Sequence, residues 1–484
     1  MTTGAMFAPK DEASFIYREK YRCQGTVLST NPQGFAILKC TSGYAKGRTI
    51  AVNFPALTKL EPKPVPVPVP ERSPAGINSP RQSDIFAGGA KRLQMTESIE
   101  LTIQSLRAYG ADHEHWGVAW SGGKDSSATL TLIIYLIDTG KIPKPKTLTV
   151  FYADTRQELL PLANAAAQIM DELQERGIHV EVVTAPMDKR FMVYILGRGV
   201  PPPNNNTLRW CTRQIKIDPM IAAVEKRIAE LDGNFLMITG VRQGESAIRD
   251  KRIEMSCGKD GAECGQGWYQ KVLPEAKGIK GRIATLAPLL HWRVCHVWEW
   301  LKHWAPLAEF GDWSTATIAD AYGGEEAEEI NARTGCTGCP LASEDKALDT
   351  ILLNPAWAYM APLKRIRVLW RELREPKNRL RKAGAEILKS GNIASNPQRM
   401  GPILLESRLM ALNILIGIQA EINESAKRLG RPMVDMINPE EEARIRELIA
   451  AETWPHGWDG EEPIATTPLD KVFADGAVQP LLFC

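Results

Sequence analysis

The sequence predicts an α/β fold, a doubly wound and mostly parallel sheet with helices on both faces, and three observations carry that prediction. Apolar runs of strand length at Val118–Trp120, Leu148–Tyr152, Val180–Thr184 and Phe235–Thr239 alternate with helix-length patterns, the signature of parallel strands joined by crossovers. The first run ends at Ser121-Gly122-Gly123-Lys124-Asp125-Ser126-Ser127, and a helical apolar pattern follows from Ala128 to Ile137. A strand, a glycine turn and a helix start together aim backbone N–H groups at a phosphate. Polar clusters at Ser121, Asp154 and Gly240 all follow strand ends, and in such sheets ligands bind beyond the carboxyl ends of the strands. One cleft should collect all three.

Composition bounds the reading. Hydrophobic residues make up 44% and charged residues 24% of the 484-residue chain, as in ordinary globular proteins. The net charge of +2 selects no class of partner. No apolar run reaches the roughly 20 residues a membrane helix needs, and the first residues, MTTGAMFAPKDEASF, lack a basic start followed by an apolar core. A cytoplasmic location without membrane contact is therefore expected. Nine cysteines, two of them in Cys336-x-x-Cys339, argue for metal or redox chemistry over disulfides in a reducing compartment.

Taken in order, residues 1–60 read as a small β module with strands at Gly25–Leu28, Phe35–Lys39 and Thr49–Phe54. Its Cys23 and Cys40 have no second cysteine pair nearby and read as plain buried residues. Residues 61–82, which include PKPVPVPVP at Pro62–Pro70, form a proline-rich linker. The main nucleotide-binding domain is expected at 83–350. It opens with a helix over Met95–Tyr109, and another helix, Glu158–Arg176, follows the second strand. Residues 351–484 read as a helical C-terminal region. There Leu405, Leu409, Leu412 and Ile416 mark one amphipathic helix, and Asn438-Pro439-Glu440-Glu441 starts another at Pro439–Ala451, with proline at the first helical position. The tail after Trp454 shows no clear periodicity.

Chemistry-bearing residues fall into four groups. In the loop, Lys124 adds positive charge and Ser121, Ser126 and Ser127 add hydroxyls, while Gly122 and Gly123 permit close approach of a ligand. The segment Asn206–Pro219 carries Arg209, Arg213 and Lys216 around Cys211, and a thiol amid three cations is expected to have a lowered pKa. After the fourth strand, Gly240-Val241-Arg242-Gln243-Gly244-Glu245-Ser246-Ala247-Ile248-Arg249 offers Arg242 and Arg249 as phosphate clamps, with Glu245 to orient an arginine or meet a metal ion. Cys257 and Cys264 lie in one Gly-rich loop and Cys336 and Cys339 in another. Four thiolates so grouped suit zinc or a [4Fe–4S] cluster alike. Cys295 lies in the apolar LLHWRVCHVWEWL and reads as core, and His291 and His296 beside it are given no role. Leu363–Lys382 holds nine Lys or Arg against two Glu. It reads either as a helix with a solvated basic face or as a polynucleotide-tracking surface on which Trp370 stacks on a base.

The loop SGGKDSS resembles the pyrophosphate loop of the ATP pyrophosphatase superfamily, and the RWCT and GxRxxES..R segments resemble PAPS reductase-like enzymes. Together with the late Gly335–Cys339 turn and the helical stretches Asn354–Leu373 and Gly401–Gln419, they are similar to the DNA phosphorothioation sulfurtransferases, component C of the Dnd systems, over residues 90–460. The resemblance implies an adenine nucleotide alpha hydrolase-like fold that binds ATP, with Mg²⁺ on the phosphates and a [4Fe–4S] cluster, zinc being the alternative. It implies nucleotide contact by Ser121 to Ser127, Asp154, Thr155, Arg209, Arg213, Lys216, Gly240, Arg242, Glu245 and Arg249. Lys124, Asp125, Cys211 and Arg242 become the catalytic candidates. Cys257, Cys264, Cys336 and Cys339 become the metal ligands, with Cys211 the rival fourth, since cluster-bearing relatives place ligands in that segment.

The activity so implied adenylates a nucleic-acid oxygen, DNA being favoured, with release of pyrophosphate. Sulfur from a partner cysteine desulfurase, alongside other phosphorothioation components, then replaces that oxygen. The alternatives are a phosphoadenylyl-sulfate reductase acting on a small molecule, a tRNA-thiolating enzyme, and a non-catalytic nucleotide-gated DNA-binding subunit, against which the intact loop argues.

Overall fold

The computed structural model describes residues 12–17, 21–30, 35–42, 49–53, 58–59, 93–205, 209–244, 250–251, 267–270, 281–324, 335–384, 386, 391 and 394–481. The proline-rich linker and the predicted site residues Glu245, Arg249, Cys257 and Cys264 lie outside the described residues. Two compact units are present, Met1–Lys91 and Arg92–Cys484.

The first unit holds an antiparallel sheet of β1 (Glu12–Tyr17), β2 (Tyr21–Thr30), β3 (Phe35–Ser42), β4 (Thr49–Asn53) and β5 (Thr58–Lys59), in the order β4-β3-β2-β1-β5. The three expected strands are there, and β1 and β5 were not foreseen. Cys40 is buried, as a packing cysteine should be.

The second unit is built on a six-stranded sheet. Helix α1 (Met95–Gly110) leads into β6 (His115–Trp120), α2 (Lys124–Asp138), β7 (Thr147–Asp154), α3 (Leu160–Glu175) and β8 (His179–Thr184). A π-helical turn, Arg213–Ile217, runs into α4 (Asp218–Ala229), followed by β9 (Phe235–Thr239), β10 (Trp268–Gln270), β11 (Ile283–Ala287) and α5 (Val294–Glu299). The sheet order is β10-β11-β9-β6-β7-β8, parallel throughout except for β10 against β11. The fold class is the one the sequence predicts.

Period-2 alternation explains why both faces are dry. Val118, Val150, Leu236 and Ile238 point into a core with α1, α2, α3 and four buried tryptophans, Trp292, Trp298, Trp300 and Trp313. Phe151, Phe235 and Met237 point the other way, onto Val224 and Ile228 of α4. Strands buried on both faces are what a parallel sheet with crossover helices requires. Strand β6 is flanked by β7 on one side and β9 on the other, so the order reverses there and the crevice beyond β6 is the binding position.

The C-terminal region is helical and shares a second core with the sheet domain. Its helices α6 (Lys346–Leu353), α7 (Arg365–Glu372), α8 (Leu405–Leu429) and α9 (Pro439–Ala450) pack on Phe191, Val193, Ile195 and Leu196. The buried stripe of α8 runs through Arg408, Ala411, Leu412, Leu415, Ile418 and Ile422. Leu409, expected to face inward, is exposed instead, because the buried Arg408 takes that direction to reach the carbonyls of Ile403, Gly197 and Thr453. Among the described residues no helix is long and apolar enough to cross a membrane.

Candidate functional site

The turn after β6 is locked by its own hydroxyls. Gly122 takes φ +70° and Gly123 caps α2 in an extended conformation. The Ser126 hydroxyl donates to the Gly123 carbonyl at 3.1 Å and accepts from the Ser121 N–H at 3.2 Å. Helix α2 therefore presents its first N–H groups, and the positive end of its dipole, at the sheet's carboxyl edge. Two cations reinforce that end. Lys124 Nζ lies 3.0 Å from one oxygen of Asp125, and Arg242 Nε pairs with the other. One carboxylate between two cations leaves a net positive, largely buried cluster suited to phosphate oxygens.

Strand β9 closes this site from the far side. A Cβ on Gly240 would stand 2.8 Å from the Ser126 backbone nitrogen and Cα, so glycine is required where the two backbones meet. Gly240 thus shapes the loop by packing. Ser127 also packs, being fully buried and accepting from the Trp120 indole at 2.8 Å. Tyr322, which no motif announced, accepts a hydrogen bond from Lys124 N at 3.3 Å, and its ring lies 5.1 Å from Lys124 Nζ.

The loop after β7 is a second tight turn. Asp154 accepts from Arg156 N at 2.9 Å and from the Thr184 hydroxyl at 3.5 Å. Thr155 donates through its N–H and hydroxyl to Glu158 Oε1 at 3.2 and 2.6 Å, and Gln157 N donates to the other oxygen at 3.1 Å. These bonds delay the helix expected from Glu158, which begins at Leu160. Burial holds the Glu158 carboxyl above the ordinary carboxylate range. Glu158 was missed as a site residue, although Thr155-x-x-Glu158 has the spacing of a capping box.

This turn carries the Cys336–Cys339 segment. Thr337 N donates to the Gln157 carbonyl at 2.8 Å and its hydroxyl to the Glu158 carbonyl at 3.2 Å. On its other side Gly338, at φ +59°, is so close to Ile366 of α7 that an added Cβ would stand 2.6 Å from Cγ2. Cys211 joins the two thiols from the turn before α4. The thiols feel one another: Cys336 is exposed at the surface, yet protein packed around its thiol, then Cys339, Glu158 and Cys211, push its pKa up, with Lys216 acting against them. Cys211 is raised as well, by burial first and Cys339 next among the charges. The expectation of a lowered Cys211 pKa is therefore corrected. Arg213 is turned aside to Asp218 at 3.0 Å, Arg209 and Lys216 are exposed, and burial outweighs them.

Of the predicted metal ligands, Cys336 and Cys339 have Cys211 for a neighbour, the rival ligand named from sequence. Three soft sulfur donors suit an iron–sulfur cluster or zinc. Among the described residues no three Cys, His, Asp or Glu side chains stand in metal-holding geometry, so the thiols are neighbours and not a closed cradle. Cys295 is half-buried. His291 and His296 serve packing, bonded to the carbonyls of Ser98 and Leu93 at 2.9 Å each.

The basic segment is largely taken up by partners within the same chain, several of them in surface ion pairs. Lys364, Arg365, Lys377 and Lys382 pair with Asp349, Glu421, Glu372 and Glu462. Arg367, Arg374 and Arg379 bind the carbonyls of Ala342 and Ser343, Pro203 and Pro340, and Gly401. Trp370 is 1% exposed and packs edge-on to Phe191. It is a core residue, and the expectation that it stacks on a base is corrected.

The sheet order, the SGGKDS turn at the switch point and the cation pair define an α/β fold of the PP-loop kind. Residues 115–307 match the phosphoadenosine phosphosulfate reductase domain, so the chain carries a PAPS reductase-like domain. No curated protein matches the chain. Among 26 matching chains of known structure is the U34-tRNA thiolase NcsA from Methanococcus maripaludis with its [4Fe-4S] cluster, 14% identical, covering 58% of this chain and 79% of that one, with a TM-score of 0.26.

Proposed function

We propose that the protein is an ATP-dependent sulfurtransferase that activates an oxygen of a nucleic acid, the DNA backbone being the favoured substrate, and replaces it with sulfur. One observation carries the reading: the phosphate-type loop after β6 and the Asp154–Glu158 turn after β7 follow neighbouring parallel strands, and that turn holds the Cys336–Cys339 segment, whose thiols interact with Cys211. The α2 N-terminus, Lys124 and Arg242 would hold the ATP phosphates and stabilise the charge that grows on pyrophosphate as it leaves. Asp125 fixes both cations and keeps them apart. Mg²⁺ would arrive with the triphosphate, as is usual for this ion.

In the first step a non-bridging phosphate oxygen of the substrate attacks the α-phosphorus of ATP, and pyrophosphate departs. In the second, the outer sulfur of a persulfide supplied by a cysteine desulfurase attacks the activated phosphorus and displaces AMP, which carries the original oxygen away. A second thiol then cleaves the S–S bond, leaving sulfur on the substrate and a disulfide that an external thiol reductant returns to thiols. Cys211, Cys336 and Cys339 would have to draw together to hold a [4Fe–4S] cluster, which would supply sulfur or electron exchange when bound; zinc is the alternative. The helical C-terminal region, packed directly on the site, is surplus to the needs of a small-molecule reductase and supports a polymer substrate. The internal pairing of seven of the nine basic residues in Leu363–Lys382 favours the second reading, a reductase of phosphoadenylyl sulfate.

Pyrophosphate release measured with ATP and duplex DNA, tRNA or no polymer tests the proposal. Stimulation by DNA is expected. Stimulation by tRNA would move the substrate, and stimulation by neither would leave the reductase reading ahead.

A further inference from the structure

Arg156 lies in the left-handed region at φ +61°, a conformation that a bulky side chain keeps only when its surroundings impose it. Its backbone N–H orients the Asp154 carboxylate, so the turn and the carboxylate are set together. What imposes the conformation lies 285 residues away in the chain. The Arg156 guanidinium reaches Glu441 at 3.3 and 3.4 Å and Asp435 at 2.9 Å. Glu441 is 1% exposed and takes a second guanidinium, Arg190, at 3.2 Å. It also closes the capping box of α9, in which Asn438 N donates to Glu441 Oε2 at 3.2 Å and Glu441 N to Asn438 Oδ1 at 2.8 Å. The same seam walls a cavity of about 170 Å³ that reaches Asp154, Gln157, Glu158 and Thr337.

We infer that Glu441 is a positioning residue of the nucleotide site: it holds the Arg156 turn in its left-handed form and so aims Asp154 and Thr155. The inference rests on reading those two residues as nucleotide contacts. A helix cap alone does not explain the arrangement. Glutamine completes a capping box as well as glutamate does, whereas two guanidinium groups gathered on one buried carboxylate need its charge. Glu441→Gln therefore separates the two roles, keeping the cap and removing the charge.

The test is ATP affinity of the full chain by calorimetric titration, with melting temperature measured alongside. Glu441→Gln is expected to weaken ATP binding about tenfold, the scale of a typical coupling between sites. Asn438→Ala should lower the melting temperature and leave ATP affinity unchanged. Arg156→Gln combined with Glu441→Gln should bind ATP no more weakly than the worse single variant, because both act through one contact. Should Glu441→Gln fail to fold, Asp435→Asn, at an exposed carboxylate, gives a smaller loss in the same direction. Wild-type affinity in Glu441→Gln, or in Asp435→Asn where Glu441→Gln does not fold, with binding lost in Lys124→Ala, overturns the inference and leaves the nucleotide reading standing. Additive losses in the double variant overturn it too. Wild-type affinity in Lys124→Ala removes the nucleotide reading itself, and the inference falls with it.

Discussion

Arg242 and Asp125, 117 residues apart in the chain, meet in a buried ion pair at the point where the strand order of the sheet reverses. The pair joins the loop after β6 to the loop after β9, and Lys124 sits on the same carboxylate. Breaking a buried pair by removing one partner leaves an uncompensated charge, at a cost of about 3–5 kcal/mol. Asp125→Ala should lose about that much in urea unfolding, since it strands two neighbouring cations. Arg242→Gln should cost less, because Lys124 still serves the carboxylate, and should weaken ATP binding more than Asp125→Asn does.

Gly338→Ala should be costly at one atom's expense. The position demands a left-handed backbone, and the new methyl would press on Cγ2 of Ile366. A loss of about 2 kcal/mol in unfolding free energy is expected from strain and overpacking together. Alkylation of Cys336 and Cys339 in the native protein should quicken, as the turn that carries them is pushed away from α7. Unchanged labelling rates would mean that the turn does not depend on that contact.

Two carboxylates should bend the pH dependence of stability in opposite directions. Burial raises Glu158 above its ordinary value of 4.5, so its contribution is present below that value and is lost as the pH rises through the folded pKa. Relative to wild type, Glu158→Gln should therefore gain stability as the pH rises from about 4.5 toward neutrality. Asp188 is lowered from 3.8 chiefly by its hydrogen bonds to Arg444, which approach at 2.7 and 2.8 Å. Its contribution is present above 3.8 and is lost as the pH falls through the depressed value. Asp188→Asn should be less stable than wild type at neutral pH and should converge with it in acid. Urea midpoints across the pH range measure both.

Trp370→Ala should act on folding and not on recognition. A fully buried tryptophan lost to alanine costs about 3–5 kcal/mol. Nucleic-acid affinity, measured at a permissive temperature where the variant is folded, should stay at the wild-type level. A selective loss of affinity with stability intact would return Trp370 to the binding surface.

Much of the sheet was legible because its determinants are local. Val118–Trp120 and Phe235–Thr239 are short apolar runs closed by glycine-bearing turns, and each becomes a strand whose end supplies the loop. The cation pair was half legible: Lys124, Asp125 and Arg242 were all singled out, while the part of Asp125 as the carboxylate both cations share appears only once β6 and β9 lie side by side. Tyr322 and Thr337 were invisible, because each acts across a long sequence separation through contacts that leave no spacing to read, and Glu441 was legible only as part of a helix start, its two guanidinium partners coming from distant segments. The Cys211 pKa failed for a related reason. Three cations adjacent in sequence suggested a field, but Arg213 turns to Asp218 and burial decides. In Leu363–Lys382 the charge count was legible and its partners were not, since carbonyls and carboxylates from distant segments take up most of that charge.

The three-residue strand β10 has a consequence for how this protein behaves in a crowd. A parallel sheet ending at β11 would offer a five-residue row of open N–H and C=O groups to any passing chain, the template on which edge-to-edge aggregation starts. Running antiparallel to β11 and anchored by Tyr269 stacked on Tyr109 at 4.6 Å, β10 covers the Thr285–Ala287 part of that row and, among the described residues, replaces it with a shorter edge.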